Sequence, residues 1–314
     1  MKQSIVRAGV LLSGLLLVAV PVDAQWGHWP GDSLLAEGRL ASAESAYYAA
    51  SRARPRDPVI RAALGRFIAA RGGVKAGAVL LEEAQFFGGD SAALARALVP
   101  LYERLRDYRS LAELKPSVLS AAERRRAAWL ATRPSEARLR DTVVLLSYRP
   151  LGDGRGFGTV ILRIGRSEFA AVIDPRVTGV VLPSAARRDV RVFGSHGGRT
   201  MAVADSMRIG SVLFSNVPVA IGSPDEAVRI GFDVIAPYYP GFDPSQGMLT
   251  LRRVDRRAPR LPGARIPALY DDNGMRVLIG NKWQSLTTSM PAMLLGTRKW
   301  MWDWKLGDVV LGES

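Results

Sequence analysis

VIDPRVTGVVLP, residues 172–183, is the stretch on which the fold is decided. An apolar run stops at Asp174, carries Pro175 and Arg176, and resumes as Gly179-Val180-Val181-Leu182. Asp-Pro is a frequent turn-former, so the plainest reading is a turn between two strands. That reading leaves the apolar flanks on both sides unexplained. The alternative is a carboxylate that two strands carry into an apolar interior.

The neighbouring sequence is built from similar short runs: TVVLLSY (142–148), GTVILRIG (158–165), RTMAVADSMRIG (199–210), SVLFSNVPVAIG (211–222) and MLTLRR (248–253). They are rich in β-branched residues and separated by Gly, Pro, Asn and Ser, which is the pattern of strands and tight turns. Between Thr142 and Arg253 only SAARRD (184–189) offers a helical turn or two. The region is expected to be mostly β with a small barrel-like core.

The order of these runs resembles a retropepsin-type aspartic protease domain over residues 142–253. GTVILRIGRSEFAAVIDPRVTGVVLP (158–183) is similar to the strand that leads into the family's Asp-(Thr/Ser)-Gly. RIGSVLFSNVPVAIG (208–222) matches its asparagine-valine-proline strand, and IGFDVIAPYYPGFDPSQGMLTLRR (230–253) its closing segment. HGGRTMAVAD (196–205) falls at the flap, so His196, Gly197 and Gly198 are candidate peptide-binding residues. The resemblance makes Asp174 the catalytic candidate and gives Asp233 and Asp243 structural places in turns.

The departures from the motif bear on the chemistry. The family's mechanism needs two carboxylates sharing one proton across a two-fold axis. Pro175 lacks both the hydroxyl and the N–H that the motif supplies, and Arg176 replaces its glycine. A guanidinium facing Asp174 favours the ionised carboxylate and opposes a shared proton. The resemblance therefore implies a catalytically impaired fold kept as a peptide- or protein-binding module. The competing expectation is an active endopeptidase that uses Asp174 as a homodimer.

The C-terminal segment, 256–314, repeats some of this texture. Setting Gly280 on Gly165 puts Ser289 opposite Asp174, and WDWKLGDVVL (302–311) echoes FDPSQGMLTL (242–251). This is either a shortened second lobe, making the chain an intrachain pseudo-dimer that lacks its second aspartate, or a set of unrelated edge strands.

Ahead of the polar stretch RPSEARLRD (133–141), which reads as a linker, residues 25–132 are helical in pattern. Gly38, Ala43, Tyr47, Ala50 and Pro55 recur thirty-four residues on as Gly72, Gly77, Leu81, Ala84 and Gly89, and Leu64 and Ile68 as Leu98 and Tyr102. Residues 32–116 resemble tetratricopeptide repeats, with a third unit that fades at Arg106 and Lys115. An unrelated Ala-rich bundle is the alternative. SVLSAAERRRAAWLA (117–131) closes the array. Either arrangement is non-catalytic and presents a concave groove for a partner or for the neighbouring domain.

The first residues are set apart from the fold. Lys2 and Arg7 precede an apolar run from Ala8 to Val20, and Val22-Asp23-Ala24 offers small residues for cleavage after Ala24. Residues 1–24 read as an export signal, and the mature chain is expected to be periplasmic or secreted. The chain has no cysteine and only two histidines, His28 and His196, which excludes disulfides, thiolate chemistry and a histidine-rich metal centre. Neither cofactor nor metal is expected. The net charge of +14 comes mainly from arginine, since only six of the 43 basic residues are lysine. With export and this arginine bias, nucleic acid is not an expected partner, whereas peripheral association with anionic envelope polymers is compatible with the charge.

Overall fold

The computed structural model describes residues 29–133, 135–139, 142–150, 157–253, 264–271, 274–286, 300–303 and 308–311. Residues 1–24, His28 and Ser289 lie outside the described residues.

The first part is all helix: α1 (Pro30–Ala36), α2 (Leu40–Ala53), α3 (Pro58–Ala70), α4 (Val74–Phe86), α5 (Ser91–Leu105), α6 (Tyr108–Glu113) and α7 (Ala121–Ala131). Local chemistry sets several of the boundaries. Asp57 and Asp90 precede α3 and α5 and accept the N–H groups of Val59 and Ile60, and of Ala92 and Ala93. Ser120 and Glu123 form a reciprocal capping box at α7. Small residues then bring α3 and α4 together: a Cβ on Gly77 would stand 2.5 Å from the Gly65 carbonyl oxygen. Tyr47 stacks on Phe67 at 4.9 Å and seals α2 against α3. Ala43 and Gly77, and likewise Tyr47 and Leu81, stand thirty-four residues apart and are buried in their helices.

A β-rich part follows. Its first eleven strands are β1 (Glu136–Arg138), β2 (Val143–Ser147), β3 (Gly158–Ile164), β4 (Ser167–Asp174), β5 (Val180–Leu182), β6 (Arg191–His196), β7 (Arg199–Ile209), β8 (Val212–Ile221), β9 (Arg229–Gly231), β10 (Gly241–Asp243) and β11 (Met248–Arg252). A short helix, α8 (Phe232–Ile235), interrupts them, and Ser184–Asp189 forms a 3-10 turn at SAARRD. The stretch 133–141 does more than link, because β1 pairs with β8 through Glu136↔Ser215 to Arg138↔Leu213.

Six strands close into a ring in the order β8-β5-β9-β4-β3-β7, and the β7–β8 pairing completes it. Two of the pairs are parallel, β4 with β9 and β5 with β8. The chain therefore leaves the ring after Asp174 and re-enters it at Val180, so the segment between crosses the barrel end. Closure removes free edges within the ring, and β4 buries Ala171, Ile173 and Asp174 at its inner end.

The C-terminal strands are β12 (Ala264–Asp271), β13 (Gly274–Ile279), β14 (Lys282–Ser285), β15 (Trp300–Asp303) and β16 (Asp308–Leu311). They join β10, β11 and β2 in a second sheet, ordered β14-β13-β12-β16-β15-β10-β11-β2. Among the described residues no separate ring closes around them. Their inner residues Ala268, Tyr270, Met275 and Val277 share one core with Phe157, Phe232 and Phe242 of the barrel. Burying one such phenylalanine is worth about 1.5–3 kcal/mol, so this shared core ties the two sheets firmly.

The same strands also engage the helical array. Arg71 donates to the Ala268 carbonyl at 2.8 Å and pairs with Asp308 at 3.2 Å. Arg104 donates to the Tyr270 carbonyl at 3.1 Å, and the Trp283 indole donates to the Leu35 carbonyl at 2.5 Å. A face of the array is thus lined by the chain's own β12–β14.

Candidate functional site

Asp174 ends β4 opposite Gly231 of β9, with 1% of its surface exposed. Pro175 offers no N–H, so the next amide does the work: Arg176 N–H donates to Oδ1 at 2.9 Å. The Arg176 side chain folds back on the same carboxylate, Nε to Oδ1 at 2.9 Å and Nη2 to Oδ2 at 3.1 Å. This two-point guanidinium–carboxylate grip is the strong form of the interaction. It also holds the Arg176 pKa above its ordinary value, with burial opposing.

The pair continues outward. Arg229 Nη1 stands 3.9 Å from Asp174 Oδ2, and its Nη2 is bonded to Glu226. Arg199, directly after the glycine pair of the hairpin, lies 3.8 Å from Glu226. A line of five charged side chains therefore runs from Arg176 to the hairpin, three cations to two carboxylates. Among the described residues the hydrogen bonds to the Asp174 carboxylate come from Arg176 alone. With both oxygens engaged by one guanidinium, this carboxylate is not arranged to share a proton with a second acid.

Gly274, the first residue of β13, packs against the Arg176 side chain. A Cβ on Gly274 would lie 3.0 Å from Arg176 Cγ, and Gly274 has φ of +95°. Bulk is excluded there both by contact and by backbone conformation.

The candidate flap is a real hairpin. β6 and β7 pair down to His196↔Arg199, and Gly197 and Gly198 make the turn with φ of +56° and +75°. His196, Gly197 and Gly198 are all exposed. The residue of this tip that joins the Asp174 line is Arg199, not His196. The base of the hairpin is tied to the helical array: Arg125 Nε and Nη2 donate to the Phe193 carbonyl at 3.1 and 2.6 Å. The rings of Trp129 and Phe193 meet edge to face at 5.9 Å.

Asp233 and Asp243 both hold backbone. Both oxygens of Asp233 accept the Gly179 N–H, at 3.0 and 3.1 Å, which fixes the chain where it re-enters the barrel. Burial pushes the Asp233 carboxyl up to about 6, against that amide and the nearby Arg106 and Arg104. Asp243 accepts from the Ser245 hydroxyl at 2.6 Å and the Gln246 N–H at 3.1 Å, capping a turn.

Sequence reasoning finds Asp174 and Arg176 but passes over Arg199, Glu226 and Arg229. Nothing local marks these three: Arg229 meets Asp174 because β9 lies parallel to β4, with Val172 opposite Arg229, and Glu226 joins through Arg229 and Arg199 through Glu226. The role of α7 in holding the hairpin is equally silent in the sequence.

No protein-family model matches this sequence. No curated protein matches it either. Among solved structures the chain is similar to a retropepsin-like aspartic protease from Rickettsia conorii, at 13% identity and a TM-score of 0.28, over 37% of this chain and 91% of that one. At that level of likeness the fold is read from the strand order and ring closure described above.

Proposed function

We propose that this chain is an exported retropepsin-type barrel whose aspartate has become a structural anchor, and that it acts as a peptide- or protein-binding module. The observation that carries the proposal is the two-point Arg176 grip on a buried Asp174. Acid proteolysis needs a proton moving between two carboxyls, whereas this carboxylate is neutralised by guanidinium groups. The tetratricopeptide-like array serves mainly inside the chain, because it holds β12 and the base of the hairpin.

Peptide binding fits the outer edge of β6 at its tip, 195–196, since β6 among the described residues pairs only with β7 and Arg125 already occupies the Phe193 carbonyl below. Strand addition there uses backbone groups and needs no acid. Residues 191–192 and 195–196 of that strand are exposed.

Mature protein, residues 25–314, incubated with an unfolded protein substrate from pH 3.5 to 7 is expected to cleave nothing. Immobilised peptides are expected to retain it, and shortening the hairpin by deleting 195–200 to release it. Cleavage that vanishes in Asp174→Ala would overturn the proposal in favour of an active, homodimeric endopeptidase.

A further inference from the structure

A cavity of about 500 Å³ lies where the helical array meets the barrel, lined by α4, α5 and residues after β9. Its wall is apolar: Val74, Leu105, Ala236, Pro237 and the Tyr270 ring. The charged groups on its lining are Lys75, Arg104, Arg106 and Asp233, three cations to one carboxylate.

These four are not equally available. Asp233 is engaged by the Gly179 amide. Arg106 donates to the Ser135 and Val234 carbonyls and to the Tyr238 hydroxyl, so it staples the two parts of the chain together. Arg104 donates to the Tyr270 carbonyl and lies over that ring at 4.4 Å. Lys75 is exposed and has no hydrogen-bond or ion-pair partner among the described residues. A ligand head that meets Lys75 displaces nothing in the fold.

The volume falls in the range of small-molecule sites, which favour apolar walls with a few polar groups at domain junctions. An apolar body satisfies the walls, and a single negative charge offsets half of the excess of two cations and meets Lys75, the cation without a partner among the described residues. We propose that this cavity binds a small amphiphilic monoanion, an apolar chain ending in a carboxylate, with its head at Lys75 and its chain between Leu105, Pro237 and Tyr270. The excess of positive charge rejects a cationic head. A neutral alcohol of the same length gains the walls but not the Lys75 contact. A ligand placed there touches α4, α5 and the barrel at once, and so strengthens their junction.

The test is titration calorimetry on the mature chain, at concentrations where the ligands are monomeric, with decanoate, decanol and decyltrimethylammonium. Decanoate is expected to bind with one-to-one stoichiometry, decanol at least tenfold more weakly, and the ammonium compound not at all. Lys75→Glu, an exposed substitution, should cost decanoate tenfold or more and leave decanol unchanged. Ala76→Trp at the exposed mouth should weaken both, and circular dichroism melts should show both variants folded. The proposal is overturned by non-saturable or multi-site uptake, by no binding of decanoate, by equal affinity for the ammonium compound, or by a Lys75→Glu variant that binds decanoate as well as the parent.

Discussion

Removing the Arg176 guanidinium leaves the Asp174 carboxylate buried, with the backbone amide of residue 176 and the 3.9 Å pair to Arg229 as its remaining partners. Breaking a fully buried pair costs several kcal/mol, but Arg176 is about half exposed (48%) and solvent screens part of that. Arg176→Ala is therefore expected to lose about 1–3 kcal/mol in urea denaturation. Adding Asp174→Asn should recover part of the loss, since a neutral amide is easier to bury than an unpaired charge. Equal stability of parent and Arg176→Ala would show that the grip carries no weight.

Asp233 yields a pH-dependent prediction at the same scale. Its folded pKa, about 6, stands above the ordinary 3.8, so the folded state prefers it protonated. That preference is fully expressed below about 3.8 and is lost as pH rises through 6. Ionising it in the folded state is expected to cost about 1–3 kcal/mol. Asp233→Asn keeps an acceptor for the Gly179 N–H and removes the ionisation. Its stability relative to the parent should rise between pH 4 and pH 7.5 by that amount, read from denaturation midpoints at the two pH values.

At the scale of elements, the α3–α4 contact rests on two glycines rather than on helix propensity. Alanine is favoured over glycine in a helix by about 1 kcal/mol, but a Cβ on Gly77 meets the Gly65 carbonyl and the Ala69 methyl. Overpacking of this kind costs about 1–3 kcal/mol, so Gly77→Ala should destabilise the array despite its better propensity. A melting temperature raised by the substitution would contradict that. The hairpin depends on a neighbour in a similar way. Trp129→Ala removes the ring against Phe193, and amide exchange across 191–200 is expected to quicken while the barrel strands stay protected. Unchanged exchange would mean that the Arg125 bonds alone hold the hairpin.

At the scale of the whole molecule, the C-terminal strands act as a clasp between the array and the barrel. Truncation after residue 253 removes Arg71's carbonyl partner at Ala268, Arg104's at Tyr270, and the apolar residues that complete the shared core. The shortened chain is expected to unfold in two calorimetric transitions instead of one and to bind a hydrophobic dye. One sharp transition without dye binding would mean that the array and barrel dock without the clasp.

Much of this plan is visible in the order of residues. The thirty-four-residue spacing of small and aromatic positions marks helix pairs, because small side chains set helix approach locally. The β-branched runs, broken by turn residues, mark a mostly β region, because strand periodicity and turn conformation are local properties. Asp174 stands out for the same reason, as a carboxylate between two apolar runs. What surrounds Asp174 was decided only by tertiary structure. Arg229 reaches it through a parallel pairing of β4 with β9 and brings Glu226 behind it, Gly274 closes over Arg176 from another sheet, and α7 holds the hairpin from the helical array. These contacts join residues tens to a hundred positions apart. They depend on how the barrel closes and which face each sheet presents, and no local preference of the chain encodes that.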